Sequence, residues 1–161
     1  MKLRYACLFS LSVLFPVFTN CSEEDNGGFS LTGTNVSVSE IAGTWTATKA
    51  LFSLAETGPI VEVDVVDEGG SVTLQIQSDG KFSINVTEQG EPAEISTGRL
   101  GFDEDLLVIS FDDDPDEWEY FSITHNEPNL AIEGGTVYEA FDFDDDGIDD
   151  DAYIDFEFVR S

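Results

Sequence analysis

Apolar and polar residues alternate along most of the chain, in short runs that turn-forming residues separate. Residues 72–76 read VTLQI and residues 82–86 read FSINV, with an apolar side chain at every second position. Between these runs lies SDG, residues 78–80, a sequence typical of a tight turn. Because successive side chains of a strand point to opposite faces of a sheet, this pattern predicts a β-hairpin.

Runs of the same kind continue along the chain and predict about nine or ten strands in all. Residues 106–111 are apolar at successive positions, which predicts a strand that is central in the sheet or covered on both faces. Residues 152–158 alternate strictly and predict the last strand. Further strands are predicted at residues 118–124, 130–133 and 137–143, and an earlier, weaker one at residues 61–65. Apart from a helical turn at residues 37–41 no helical period is kept, so we predict an all-β domain over residues 39–161, either a small barrel or a β-sandwich.

The first predicted strand opens with IAGTW, residues 41–45. This Gly-x-Trp resembles the opening of the lipocalins, and more closely that of small bacterial lipocalin-like lipoprotein domains. The resemblance implies an antiparallel up-and-down β-barrel. In lipocalins a basic residue after the last strand packs across this tryptophan at the closed end, and the corresponding residues here are Trp45 and Arg160. A cation over an indole face is favourable by about 0.5–2 kcal/mol.

Seven aspartates lie among the ten residues 142–151, between the last two predicted strands. Carboxylates this close repel one another unless a cation lies among them. The segment resembles the front of an EF-hand calcium loop, in which Gly147 allows a sharp turn. The resemblance implies five oxygen ligands for calcium, four from side chains and one from a backbone carbonyl: Asp142, Asp144, Asp146, Ile148 and Asp150.

The loop departs from the EF-hand pattern in two ways. Its twelfth position is Tyr153 rather than the bidentate glutamate, and strands rather than helices flank it. We therefore expect weak calcium binding, with a dissociation constant on the order of 10⁻⁴–10⁻³ M, as in extracellular modules. The alternative is a solvated acidic turn.

The first 38 residues have a different composition. Residues 1–20 combine a short basic start with an apolar run, which predicts a signal peptide. The VFTNC that ends this region resembles a bacterial lipoprotein signal and implies that Cys21 is lipidated, although Phe18 and Asn20 are not the commonest residues there. The alternatives are a signal peptide with an incidental cysteine, or an uncleaved anchor. Residues 21–38 are polar and rich in glycine and predict a flexible tether.

Residues 22–25 read SEED, which resembles the surface-export signal of some Gram-negative lipoproteins. The resemblance implies a protein that is anchored in the outer membrane by lipid chains and exposed at the cell surface. Several acyl chains on one cysteine give stable anchoring, whereas one chain alone is marginal.

The charge of the chain restricts its partners. There are 34 acidic and six basic residues. Loss of Lys2 and Arg4 with the signal peptide leaves a net charge of about −30, which excludes nucleic acid and disfavours an anionic membrane surface. With only His125, one chain has no multi-histidine zinc site. Apolar residues make up 41% of the chain, enough for a folded core.

No catalytic motif is present, so we expect a binding protein rather than an enzyme. The leading hypothesis is a non-enzymatic, lipid-anchored surface module with a calcium-stabilised C-terminal hairpin, which holds a small apolar ligand in its barrel. The alternative is a structural or adhesive accessory lipoprotein that binds a cationic or calcium-bridged protein partner. A carboxylate-based enzyme is a third hypothesis, although so acidic a chain brings carboxylates together in any fold.

Overall fold

A computed structural model of the protein describes residues 29–55, 60–144 and 147–161, apart from the side chains of residues 138 and 139. Within these ranges the chain forms one short helix and nine strands. The helix α1 spans Val38–Ile41. The strands are β1 Gly43–Leu54, β2 Glu62–Asp64, β3 Ser71–Ile76, β4 Lys81–Thr87, β5 Glu94–Asp103, β6 Leu106–Phe111, β7 Glu119–Asn126, β8 Asn129–Phe141 and β9 Asp150–Arg160.

Eight of the strands close into an antiparallel up-and-down β-barrel. From β3 to β9 each strand pairs with the next along the chain, and β1 closes the barrel by pairing with both β3 and β9. The short β2 extends the sheet at the end of β1, where Phe52 pairs with Val63. The barrel that the sequence predicts is confirmed, the β-sandwich alternative is wrong, and the topology is consistent with a lipocalin-like fold.

Because neighbouring strands run in opposite directions, their connections fall at two ends. At one end lie α1 and the β3–β4, β5–β6 and β7–β8 turns, and we call this the closed end because α1 packs its buried Val38 and Ile41 into the core there. At the opposite, open end lie the β1–β2, β2–β3, β4–β5, β6–β7 and β8–β9 connections, which we call the open-end loops.

Strand β5 was not predicted, because its inward positions do not read as an apolar alternation. Gly98 occupies an inward position opposite Phe82. A side chain there would meet the Phe82 ring at 2.8 Å and the Ser110 carbonyl oxygen at 2.2 Å. The room for the large Phe82 side chain therefore comes from a glycine, which hides the strand pattern in the sequence.

Aromatic and aliphatic side chains fill the barrel. Five phenylalanine rings contact one another in series from the open end towards the closed end, with successive centroids 5.0, 4.9, 5.2 and 5.9 Å apart. In order along this ring series they are Phe143, Phe141, Phe52, Phe156 and Phe158. Around the series pack further buried residues from every barrel strand, so the interior is a solid core.

The predicted tether differs from the structure over its second part. Residues 29–38 lie against the barrel, where Ser30 exchanges two backbone hydrogen bonds with Phe102, of 3.1 and 2.7 Å. Leu31 and Val36 pack on the core and Val38 is fully buried, and burial of these apolar side chains fixes the segment. Residues 21–28 of the tether, the predicted signal peptide and Cys21 lie outside the described residues.

Residues 29–32 also explain why β6 is apolar on both faces. Leu107 and Ile109 point into the core, so the fully buried Val108 between them points outward. Gly101 pairs with Val108, and the Phe29 side chain lies directly over Gly101. The chain itself therefore covers the outer face of β6 at Val108, whereas Leu106 on the same face is 42% exposed, so the predicted cover on both faces holds only for part of the strand. Within the described residues, no helix has the length and apolar composition needed to cross a bilayer.

Candidate functional sites at the two ends of the barrel

The closed end is organised around the buried indole of Trp45, which lies near the start of β1. Its Nε1 donates a hydrogen bond of 2.8 Å to the carbonyl oxygen of Ile41, the last residue of α1. The other end of α1 is fixed by Glu40, whose carboxylate accepts hydrogen bonds from the backbone N–H and hydroxyl of Ser37 at 2.8 and 2.6 Å. These bonds from Ser37 lower the pKa of Glu40 below its usual value.

Arg160 lies over Trp45, which is its cross-strand partner between β9 and β1. The guanidinium carbon is 4.2 Å from the centre of the Trp45 ring. The contact that the sequence predicts between these two residues is therefore present. Arg160 also donates to the carbonyl oxygens of Ala42 and Glu40 at 2.8 and 2.9 Å, and forms an ion pair with Glu127 at 2.6 Å. One side chain thus joins the last strand, the α1 segment and the β7–β8 turn.

Two further residues belong to this cluster and gave no signal in the sequence. Glu127 lies in the β7–β8 turn, and the hydrogen bond from Arg160 is the main reason that its pKa is lowered. His125 lies on β7 with 13% of its side chain exposed, and its ring meets Trp45 edge-on at 5.8 Å. A lone histidine and a turn glutamate carry no motif, so only the tertiary fold brings His125 to Trp45 and Glu127 to Arg160.

We expect Trp45→Ala to destabilise the protein by about 3–5 kcal/mol, as loss of a buried large aromatic side chain does. Arg160→Ala should cost about 2 kcal/mol, because it removes charged hydrogen bonds as well as the ring contact. Arg160→Lys keeps the charge but not the planar fork, and should recover only part of the loss. Urea unfolding measures all three, and a wild-type midpoint for Arg160→Ala would contradict the arrangement.

The lowered pKa of Glu127 predicts a pH dependence with a defined sign. A carboxylate whose pKa is lower in the folded state stabilises the fold above its unfolded pKa of about 4.3, and this contribution is lost as the pH falls through the folded pKa. The melting temperature of wild type should therefore exceed that of Glu127→Gln at pH 6, and the difference should shrink towards zero at pH 3. Glu104→Gln, in the exposed β5–β6 turn, is the control and should show no such convergence.

The open end carries the predicted calcium loop. Asp142 accepts a hydrogen bond of 2.7 Å from the backbone N–H of Gly147, and Gly147 has a φ of +84°, where glycine is favoured. Asp150 accepts a longer bond of 3.4 Å from the Phe143 N–H. Asp144 is exposed, as is the side chain of Ile148. The sharp turn expected at Gly147 is thus present, with the first predicted ligand bonded across it.

The structure describes only part of the predicted ligand set, because Asp146 lies outside the described residues. Among the residues that are described, no group of three or more His, Cys, Asp or Glu side chains is arranged to hold a metal ion. The donors of the loop are carboxylate and carbonyl oxygens, the ligand type that calcium prefers. The chemistry and the turn therefore fit calcium, while the described side chains do not form a ready-made cage.

Charge is distributed unevenly between the two ends. The open-end loops contain no lysine or arginine, whereas the β6–β7 and β8–β9 loops alone contain ten acidic residues between positions 112 and 149. The four basic residues that follow the predicted signal peptide all lie in strands: Lys49, Lys81, Arg99 and Arg160. Three of them form ion pairs within the barrel wall or at the closed end: Lys49 with Asp155, Lys81 with Asp79, and Arg160 with Glu127. The open end is therefore a surface of strongly negative potential.

The chain matches no protein-family model, no curated protein and no solved structure.

Proposed function

We propose that this protein is a non-enzymatic binding module that is lipidated at Cys21, anchored in the outer membrane and exposed at the cell surface. Its open-end loops contact a cationic or calcium-bridged protein partner. The observation that carries the proposal is the absence of any basic residue from all five open-end loops. Such a surface attracts cations and accelerates encounter with a positively charged partner.

Storage of a small apolar ligand inside the barrel is the second candidate, and the geometry favours it less. The ring series from Phe143 to Phe158 occupies the space in which an apolar ligand would lie. Two depressions on the described surface, of about 280 and 430 Å³, include neither Phe82 nor Phe156 in their walls. A lipid extracted in stoichiometric amount from the native protein would restore this candidate.

Calcium is part of the proposal, held by the side chains of Asp142, Asp144, Asp146 and Asp150 and by the carbonyl of Ile148. The bond between Asp142 and Gly147 supports this arrangement, because it bends the loop where an oxygen cage needs its sharpest turn. A cation would also relieve the repulsion among the clustered aspartates. The loop begins directly after Phe141 and contains Phe143, and the rings of these two residues are in contact, so a cation that orders the loop would also hold the outermost rings of the core in place.

We expect millimolar calcium to raise the melting temperature by several degrees over the value in chelator. An ion that binds only the folded state stabilises it by about 2.7 kcal/mol at a hundredfold excess over its dissociation constant. Magnesium should substitute poorly, because it dehydrates reluctantly and requires stricter octahedral geometry. Differential scanning calorimetry in calcium, magnesium and chelator provides the measurement.

The matched variants for this test change the charge by the same amount in two loops. Asp144→Asn/Asp146→Asn should abolish the calcium response. Asp113→Asn/Asp114→Asn, in the β6–β7 loop, should leave it intact. Equal melting temperatures of wild type in calcium and chelator would leave the solvated acidic turn as the better interpretation, and equal losses in both variants would indicate non-specific screening.

Anchoring is tested in the cell by fractionation and surface protease digestion. Cys21→Ser should abolish membrane association and accumulate as an unprocessed precursor, because the modified thiol is absent. Cys7→Ser, within the predicted signal peptide, is the control and should be processed normally. Outer-membrane fractionation of the Cys21→Ser protein would refute the lipid anchor.

A further inference from the structure

Strand β8 has an edge that is only half paired. Residues 129–133 of β8 pair with residues 122–126 of β7. Beyond this point β8 continues to Phe141 and pairs with β9 on its other side. Among the strands that the structure describes, none pairs with the remaining edge of β8, residues 136–141, which we call the free edge.

Two consecutive glycines follow the last residue of β8 that pairs with β7. Gly134 and Gly135 have φ values of +77° and +75°, and the register with β9 shifts between Gly134 and Thr136. A side chain at Gly135 would lie 2.6 Å from the Phe121 ring and 2.8 Å from the Tyr120 carbonyl oxygen, so only glycine fits. The bulge lies where the pairing of β8 with β7 ends while its pairing with β9 continues, so these two glycines mark the start of the free edge.

The free edge has the character of a strand that accepts another strand. Its sequence, TVYEAF, is rich in β-branched and aromatic residues and contains no proline or lysine, the residues that usually protect an exposed edge. Thr136, Val137 and Ala140 are half-buried. An unpaired edge presents a row of backbone donors and acceptors that an extended peptide can satisfy.

The acidic loops beside the free edge favour a peptide of positive charge. The β6–β7 loop, which leads into β7 across the gap, contains five carboxylates within residues 112–117. The aspartate-rich β8–β9 loop begins where the free edge ends. Neither loop has a lysine or arginine, so an incoming acidic strand would be repelled from both sides. A second copy of this chain, with a formal net charge of −28, is disfavoured for the same reason.

We propose that the free edge of β8 binds an extended, lysine- and arginine-rich segment of a partner protein, which adds as a strand beside residues 136–141. The proposal deepens the function proposed above and rests on it, because it names the partner class and its point of contact. Backbone hydrogen bonds to β8 supply affinity, and the two flanking acidic loops supply charge selectivity. Neither lipidation nor calcium is required for this contact.

The test uses a fluorescent seven-residue peptide of alternating lysine and valine, measured by anisotropy with the folded protein. A second peptide of identical charge is N-methylated at two adjacent central residues, which removes one backbone donor from each of its edges. We expect the unmodified peptide to bind at least tenfold more tightly than the methylated one. A glutamate–valine peptide should not bind. Hydrogen exchange should slow at residues 136–141 when the unmodified peptide is present.

Two double variants distinguish the contribution of the acidic loops to peptide binding from that of the strand edge. Asp113→Asn/Asp114→Asn should weaken binding several-fold and lower its salt dependence, whereas Asp103→Asn/Glu104→Gln, the same charge change at the closed end, should leave it unchanged. Equal affinity for both lysine peptides would overturn strand addition while leaving the acidic surface as a binding site. No binding at low salt would overturn this proposal and the cationic partner together, but not the anchor or calcium. Slowed exchange at the free edge on dimerisation alone would identify a second copy as the occupant.

Discussion

The antiparallel pairing of β1 with β9 closes the barrel, and the positions of the other elements depend on it. The pairing joins Trp45 to Arg160, residues from opposite ends of the folded chain, and such a contact carries a large loop-closure entropy. Burial of the Trp45 indole and the bonds of Arg160 to the α1 segment and Glu127 oppose that cost. Once these two strands pair, both faces of the sheet are defined: one encloses the ring series and the other meets solvent.

Side chains fill the interior of the barrel. The five phenylalanine rings and their neighbours give the barrel a rigid core, and small barrels of this size often have no space for a ligand. The closed and open ends of the barrel differ in their charge and in the pairing of their strands. At the closed end, Arg160 joins the last strand to the α1 segment and to the β7–β8 turn. In the open-end loops, every charged residue is acidic. The acidic charge is therefore concentrated at one end of a barrel whose interior is filled with side chains.

The two glycines of β8 make the open end asymmetric. A regular barrel would pair β7 and β8 along their full lengths and satisfy every backbone group between them. The bulge at Gly134 and Gly135 ends that pairing early, so β8 and β9 continue together towards the aspartate loop. The same segment therefore combines a strand edge, an acidic loop and the outermost rings of the core, at Phe141 and Phe143. Binding at any one of these features would bear on the other two.

The alternation of apolar and polar residues by itself determined the class of fold, because side-chain direction in a strand is a local property with a period of two. It placed the β3–β4 hairpin, and the Gly-x-Trp resemblance led to the contact of Trp45 with Arg160. Tertiary structure alone decided the rest. It joined two segments predicted as separate strands, residues 130–133 and the first part of 137–143, into β8. It also packed residues 29–38 on the barrel and brought His125 to Trp45 and Glu127 to Arg160. These outcomes depend on how distant strands pair and how large side chains fill a shared volume, which no local pattern encodes.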